Sequence, residues 1–274
     1  MKTSAHQAIA FIGGGNMASA VIGGLLRQGL PAAQIEVVEP FAEARDKLKA
    51  QFGVAAHERA GAGLQRAGLV VWAVKPQTFK DAAAQVAGHT GQALHLSVAA
   101  GIRSDSIAAW LGTQRIVRSM PNTPALVGKG MTALFARPGV SDEDKAWVEQ
   151  VIATTGESLW VDAETDLDAV TALSGSGPAY VFFFLEAMTQ AGIEMGLSRE
   201  QAYRLATGTF AGASELARAS QDPPEVLRQR VTSKGGTTYA AITSMEQAQV
   251  KELFIRALHA ARERAKELGD EFGG

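Results

Sequence analysis

Residues 8–18 read Ala8-Ile9-Ala10-Phe11-Ile12-Gly13-Gly14-Gly15-Asn16-Met17-Ala18. Five apolar residues make a short strand buried on both faces, and three glycines turn the chain into an amphipathic helix predicted over 17–28. Gly13-x-Gly15-x-x-Ala18 is a dinucleotide-binding pattern. Gly13 permits the tight turn. Gly15 lets the backbone approach a pyrophosphate that any side chain would block. Ala18 allows close helix–strand packing, and the free N–H groups and positive end of the helix face the phosphates. A glycine turn in an α/β protein that binds no nucleotide is the plainer reading. It is weakened by the acid expected at the end of the second strand, Glu39. Its carboxylate can accept from an adenosine ribose diol and would repel a 2′-phosphate, with Arg45 and Lys47 softening that repulsion. It can equally be a solvated acid at a strand end. NADP(H) and NAD(H) therefore both stay open as cofactors.

Working outward, strand patterns at 35–38, 69–74, 94–98 and 115–120 alternate with helical stretches, including 43–52, which stops at Gly53. This alternation predicts a doubly wound parallel sheet. Later strands are expected at 131–135 and 157–161, with a helix between them opened by Ser141 and Asp144. Beyond about Asp162 strand patterns cease. Helices are predicted over 178–195, 199–219, 224–231, 238–243 and 250–268, the second capped by Ser198 and Gln201. The chain thus divides into an α/β domain, 1–161, and an all-α domain, 162–274.

Of 274 residues, 46% are hydrophobic and 20% charged, enough to bury a core, and the net charge of -2 offers nucleic acid no basic face. The absence of cysteine removes thiol chemistry and suits a reducing cytoplasm. The five histidines, His6, His57, His89, His95 and His259, show no metal-ligand spacing, so no metal site is expected. No secretory signal pattern is read at the N-terminus, and the longest apolar run, 179–185, is well short of the ~20 residues of a membrane span. It reads as a buried helix segment. Val181-Phe182-Phe183-Phe184-Leu185 would make that helix apolar on all sides, which calls for cover by a second subunit and predicts an obligate homodimer.

A second constellation lies at Thr232-Ser233-Lys234-Gly235-Gly236-Thr237-Thr238. Hydroxyls flank a flexible Gly-Gly directly before a helix, and backbone N–H groups there can hold an anion such as a carboxylate. The alternative is a helix-linking loop in which Thr237 or Thr238 is only an N-cap. Two other motifs fail. Gly128-Lys129-Gly130-Met131 is not a P-loop, and Ser174-Gly175-Ser176-Gly177 is not a nucleophile elbow.

With this loop in view, the chain resembles the pyrroline-5-carboxylate reductase family nearly end to end. The matching stretches are Phe11-Ile12-Gly13-Gly14-Gly15-Asn16-Met17, Ala73-Val74-Lys75-Pro76-Gln77, Ser97-Val98-Ala99-Ala100-Gly101, Arg118-Ser119-Met120-Pro121-Asn122-Thr123-Pro124, Leu173-Ser174-Gly175-Ser176-Gly177-Pro178-Ala179-Tyr180 and the 233–238 loop. The resemblance implies a Rossmann-like domain and an all-α C-terminal dimerisation domain, with rings of dimers in some members. It implies NAD(P)H-dependent reduction of the cyclic imine to proline. It implies that Gly13, Gly15, Asn16 and Met17 hold the pyrophosphate, and that Ala73, Val74 and Lys75 line the adenosine-ribose and phosphate side. Ala99, Ala100 and Asn122 would approach the nicotinamide and its ribose. Gly175 and Ser176 would border the hydride-transfer region. Ser233, Gly236, Thr237 and Thr238 would bind the substrate carboxylate, with Thr238 near the ring nitrogen. Lys234 stands where many members carry proline, and Ala55-Ala56-His57-Glu58 lacks an asparagine that some place near the adenosine.

A protonated imine is already electrophilic and needs mainly orientation. No histidine or paired carboxylate falls in these motifs, so the proton is expected from solvent or Thr238. Lys75 is read as a phosphate contact or a solvated residue. Related β-hydroxyacid reductases place a lysine on the long interdomain helix; residues 179–192 contain none. A nucleotide-sensing regulatory protein would have no use for the carboxylate loop.

Overall fold

The computed structural model describes residues 8–272; His6 lies outside them. The strands are β1 (Ala8–Ile12), β2 (Ile35–Val38), β3 (Ala56–His57), β4 (Ala67–Trp72), β5 (Leu94–Ser97), β6 (Ile116–Met120), β7 (Gly130–Ala136) and β8 (Gly156–Trp160). Between them run α1 (Asn16–Arg27), α2 (Ala42–Phe52), α3 (Pro76–Val86), α4 (Ser104–Leu111) and α5 (Asp142–Ile152). The sheet order is β3-β2-β1-β4-β5-β6-β7-β8.

Strand alternation sends side chains to two cores. Ile9, Phe11, Leu69, Val71, Leu94 and Leu96 meet Val21, Ile22, Leu48 and Val148 of α1, α2 and α5 on one face. Ala10, Ile12, Val70 and Trp72 meet Phe79 and Ala83 of α3, Ile107 of α4 and Ile102 just before it on the other. Each large side chain fully buried this way contributes about 1.5–3 kcal/mol.

One expectation is corrected. The sheet is not wholly parallel: β6 and β7 pair antiparallel, with Arg118 opposite Phe135, so β7 and β8 run against the first six strands. The connection from Met120 to Gly130 is short and holds only a 3-10 turn (Thr123–Val127). A parallel return needs a crossover of about a dozen residues or more, so the chain doubles back. Between β7 and β8 the crossover through α5 restores a parallel pair. Ser141 caps α5 with Asp144 in the predicted capping box.

Two compact units result. The first takes in the described residues up to Ser176 and from Ala261 onward; the second spans Gly177–Ala260. The change of periodicity near 162 and the structural division at 176 do not coincide. After β8 the short α6 (Asp166–Val170) and a π-helical turn (Thr171–Gly175) stay tied to the α/β unit, to β6 by the Arg118–Glu164 ion pair and to the start of α4 by Arg103–Asp168.

The second unit contains α7 (Gly177–Glu194), α8 (Arg199–Ala219), α9 (Pro224–Arg230), α10 (Thr237–Gln247) and the first half of α11 (Val250–Phe272), which passes into the first unit at Ala261. A tight turn makes α7 and α8 neighbours, and Gly192 passes so close that a Cβ there would lie 2.7 Å from Ala202 Cβ. Tyr180 and Phe184 set their rings edge-on to Phe254. The 179–185 run is helical as expected, but it is not buried within one chain: Phe182 and Phe183 are exposed, Phe183 by 67%. Contacts with α8 and α11 cover only part of an all-round apolar helix, and the remaining faces need another surface.

Candidate active site

The parallel strands β1, β2, β4, β5 and β6 bring their carboxyl ends to one edge of the sheet, where ligands of open α/β sheets bind. The residues that follow them there are those singled out for the cofactor: Gly13, Gly15, Asn16 and Met17 after β1, Glu39 after β2, Ala73, Val74 and Lys75 after β4, Ala99 and Ala100 after β5, and Asn122 after β6.

Each glycine of the turn has a separate task. Gly13 has φ +94°, its N–H donates to Val38 O at 2.8 Å, and a Cβ there would stand 2.5 Å from Ala73 O. It is the close approach of three strand ends. A Cβ on Gly14 would strike Leu48 at 2.6 Å. Gly15 is different: φ is -73°, it is exposed, and nothing lies within 4 Å of a Cβ built on it. It caps α1 without a side chain, leaving the first N–H groups of the helix open toward that space. An empty place beside a helix start, with no side chain in it, fits a pyrophosphate.

Glu39 is neither solvated nor turned outward. It is 6% exposed; its Oε2 accepts from Gly14 N–H at 2.7 Å and its Oε1 from Phe41 N–H at 2.9 Å. The carboxylate staples the glycine turn to the end of β2. Arg45 is directed back at the carbonyls of Glu39 and Pro40. Phe41, passed over in the sequence, exposes its ring at the start of α2.

Lys75 is the exposed N-cap of α3, ahead of Pro76 at the first helical position. Ala99 is buried and Ala100 partly so, as suits a surface that lets a flat ring approach. The Asn122 amide faces protein: it donates to Ser174 O at 3.2 Å and Ser174 Oγ at 3.3 Å and accepts from Met131 N–H at 2.9 Å. Gly175 packs on Met120, and Ser176 N–H closes the π turn onto Thr171 O at 2.8 Å. A π turn has no sequence signature, which is why Ser174 and its braces were not seen as a unit.

The remaining candidates lie in the second unit. Gly235 has φ +76°, Gly236 N–H donates to Ser233 O at 3.0 Å, and a Cβ on Gly236 would stand 2.7 Å from Ser233 Oγ. The glycines therefore fold the Ser233 hydroxyl against the start of α10. Gly236 itself is the N-cap, so Thr237 and Thr238 occupy the first two helical positions. Neither threonine is the cap that the alternative reading required.

Fold and turn together define a nicotinamide-nucleotide oxidoreductase with a helical C-terminal region. Residues 8–101 match the family of NADP oxidoreductases, coenzyme F420-dependent, and residues 164–268 match pyrroline-5-carboxylate reductase dimerisation. A pyrroline-5-carboxylate reductase of Pseudomonas aeruginosa is 46% identical over 97% of this chain and 98% of its own. The solved structure of one from Coxiella burnetii superposes with a TM-score of 0.88 at 39% identity, covering 96% of this chain and 98% of that one. A Plasmodium falciparum pyrroline carboxylate reductase with NADP bound gives 0.86 at 27% identity, covering 97% and 100%. The chain belongs to the pyrroline-5-carboxylate reductase family.

Proposed function

We propose that this chain reduces pyrroline-5-carboxylate to L-proline with NAD(P)H, the last step of proline biosynthesis. The observation that carries the reading is the pairing in one chain of the open Gly15 turn with the hydroxyl-lined start of α10. In this reading Gly13, Gly15, Asn16 and Met17 receive the pyrophosphate, Glu39 holds their turn in shape, and Ala73, Val74 and Lys75 border the adenosine side. Ala99 and Ala100 receive the nicotinamide half, and Asn122 acts through Ser174. Ser233, Thr237 and Thr238 take the substrate carboxylate through hydroxyls and helix-start N–H groups, with Gly236 as the side-chain-free N-cap beside them.

When bound, the dihydronicotinamide supplies a hydride to C5 of the imine. The ring nitrogen takes a proton, from solvent or the Thr238 hydroxyl, so the C=N bond becomes CH–NH. Ser176 borders that place. The chain's own contribution is orientation: fixing the carboxylate at one end of the small ring fixes the presented face of C5.

Dinucleotide binding is assigned to residues 1–161, and substrate binding with dimerisation to 162–274. The exposed Phe182 and Phe183 support a homodimer that covers them. A ring of dimers is the further assembly proposed, and sedimentation velocity of the purified protein tests it. A cytoplasmic location is supported by the absence of cysteine. Among the described residues no helix is long and apolar enough to cross a membrane.

Purified protein given pyrroline-5-carboxylate should consume NADPH or NADH and form proline in equal amount. A folded, nucleotide-binding sample that makes no proline with either cofactor overturns the reading.

A further inference from the structure

The chain from Glu164 to Ser176 is pinned to β6 at both ends. At its start the Glu164 carboxylate accepts from Ser104 N–H at 2.6 Å, Ser104 Oγ at 2.5 Å and Arg118 Nη1 at 2.7 Å. At its end Asn122 holds Ser174, and Gly175 lies so close to Met120 that a Cβ would stand 2.3 Å from its Cε. Arg118, Met120 and Asn122 follow one another at a spacing of two along β6 and its exit. Between the anchors run α6 and the π turn, held midway by Arg103 and Asp168 at 3.2 Å.

Arg118 is 5% exposed. Glu164 takes its Nη1, and its Nε is buried with no hydrogen-bond partner. Burial disfavours the charge on Arg118, and Glu164 offsets that. The pair is therefore poor material for stability alone, since buried ion pairs are replaced by apolar groups at little cost. What it supplies is a fixed length: one strand carries the anchor for the start of the segment and the brace for its end.

We infer that Glu164 is a positioning residue, setting the place of the Ser174–Ser176 turn through Arg118 and β6. The inference rests on the proposed reading, in which Ser176 borders the hydride-transfer region. A group displaced by about 1 Å can cost up to about a hundredfold in rate, so a remote anchor can matter to turnover.

The test uses the full-length protein in three forms. Glu164→Gln keeps an acceptor for Ser104 but strands the Arg118 charge. Glu164→Gln with Arg118→Met removes the stranded charge. Glu164→Asp keeps the charge one methylene short. Thermal melting, NADPH affinity by fluorescence, and kcat and KM for the imine are measured on each. Glu164→Gln should lower Tm, and kcat should fall about tenfold while NADPH affinity stays within about twofold. The double variant should recover most of the Tm yet keep the lowered kcat. Glu164→Asp should melt near the wild type with kcat several-fold down. Recovery of kcat together with Tm in the double variant overturns the inference, as does wild-type kcat in folded Glu164→Asp. If the wild type itself forms no proline, it is the proposed reaction that fails.

Discussion

Gly13 and Gly15 stand two residues apart in one turn, and alanine at each should fail in opposite ways. At Gly13, φ of +94° is a conformation that costs an L-residue roughly 1–2 kcal/mol. The new Cβ would also meet Ala73 O at 2.5 Å and Ala73 C at 2.8 Å, both backbone atoms that cannot rotate away. Overpacking of this kind costs about 1–3 kcal/mol. Gly13→Ala should therefore lose about 2–5 kcal/mol, a drop in Tm on the order of 10 °C. At Gly15, φ of -73° suits any residue and no atom lies within 4 Å of the Cβ. The only stability cost is alanine's weaker capping, under about 1 kcal/mol. Its methyl group, however, enters the space proposed for the pyrophosphate. Gly15→Ala should melt within a few degrees of the wild type yet bind NADPH at least about tenfold more weakly, a loss of about 1.4 kcal/mol. Differential scanning fluorimetry and NADPH fluorescence titration on both variants decide it. Wild-type affinity in Gly15→Ala would show that the phosphates lie elsewhere. A wild-type melting point in Gly13→Ala would show that the turn is looser than its contacts imply.

Thr238→Ala should lower kcat/KM for the imine about ten- to a hundredfold with NADPH affinity unchanged, because a hydrogen bond to a charged group is lost; steady-state kinetics beside a fluorescence titration check it, and normal kinetics would leave Ser233 as the stronger candidate. Glu39→Ser leaves the Gly14 N–H without its acceptor and should cost about 1–3 kcal/mol in urea denaturation while weakening both NADH and NADPH; an unchanged midpoint would mean the staple is not formed. His95 accepts from Trp72 Nε1–H at 3.0 Å and is 1% exposed, and burial lowers its pKa from 6.5 to about 4. Its folded pKa lies below the unfolded one, so the unfolded chain binds the extra proton; the stabilisation is full above pH 6.5 and is lost as the pH falls toward 4, about 3 kcal/mol in all. Urea melts of wild type and His95→Gln from pH 7 to 4 should differ by that pH-dependent amount, since carboxylate titrations are common to both; parallel curves would refute it.

What the sequence made legible follows from what is local. The β1–Gly–α1 turn, the Ser141 and Ser198 caps and most helix limits are read within a few residues, because strand alternation, capping and glycine geometry are near-neighbour effects. Helices α3 and α4 and the two-residue β3 were not marked out: α4 is short, and β3 is too brief to show a period. The reversal at β7 turns on the length of a connection rather than on the composition of either strand. Glu39 was placed correctly at the end of β2, but the direction of its carboxylate depends on Gly14, a residue 25 positions earlier. The Arg118–Glu164 pair joins positions 46 apart, and no spacing rule reaches that far. The 233–238 loop acquired its meaning through family resemblance, since hydroxyls beside glycines also suit an ordinary helix link.

The last turns of α11 belong with the sheet. Leu268 lies against Gly101, where a Cβ would stand 3.2 Å from Leu268 Cβ, Gly269 leaves room for the Arg103 guanidinium, and Phe272 packs on the α3–α4 core. In connectivity, the helical unit is therefore an insertion in the α/β unit rather than an appendage to it. No single cut separates the two. A fragment ending at Ser176 would bare apolar surface beside Gly101, the residue directly after the Ala99-Ala100 pair. Excising 177–260 and bridging the gap would keep that cover. The nucleotide half thus depends on the chain having first been made through the helices, so its fold is completed only after 177–260 has been synthesised.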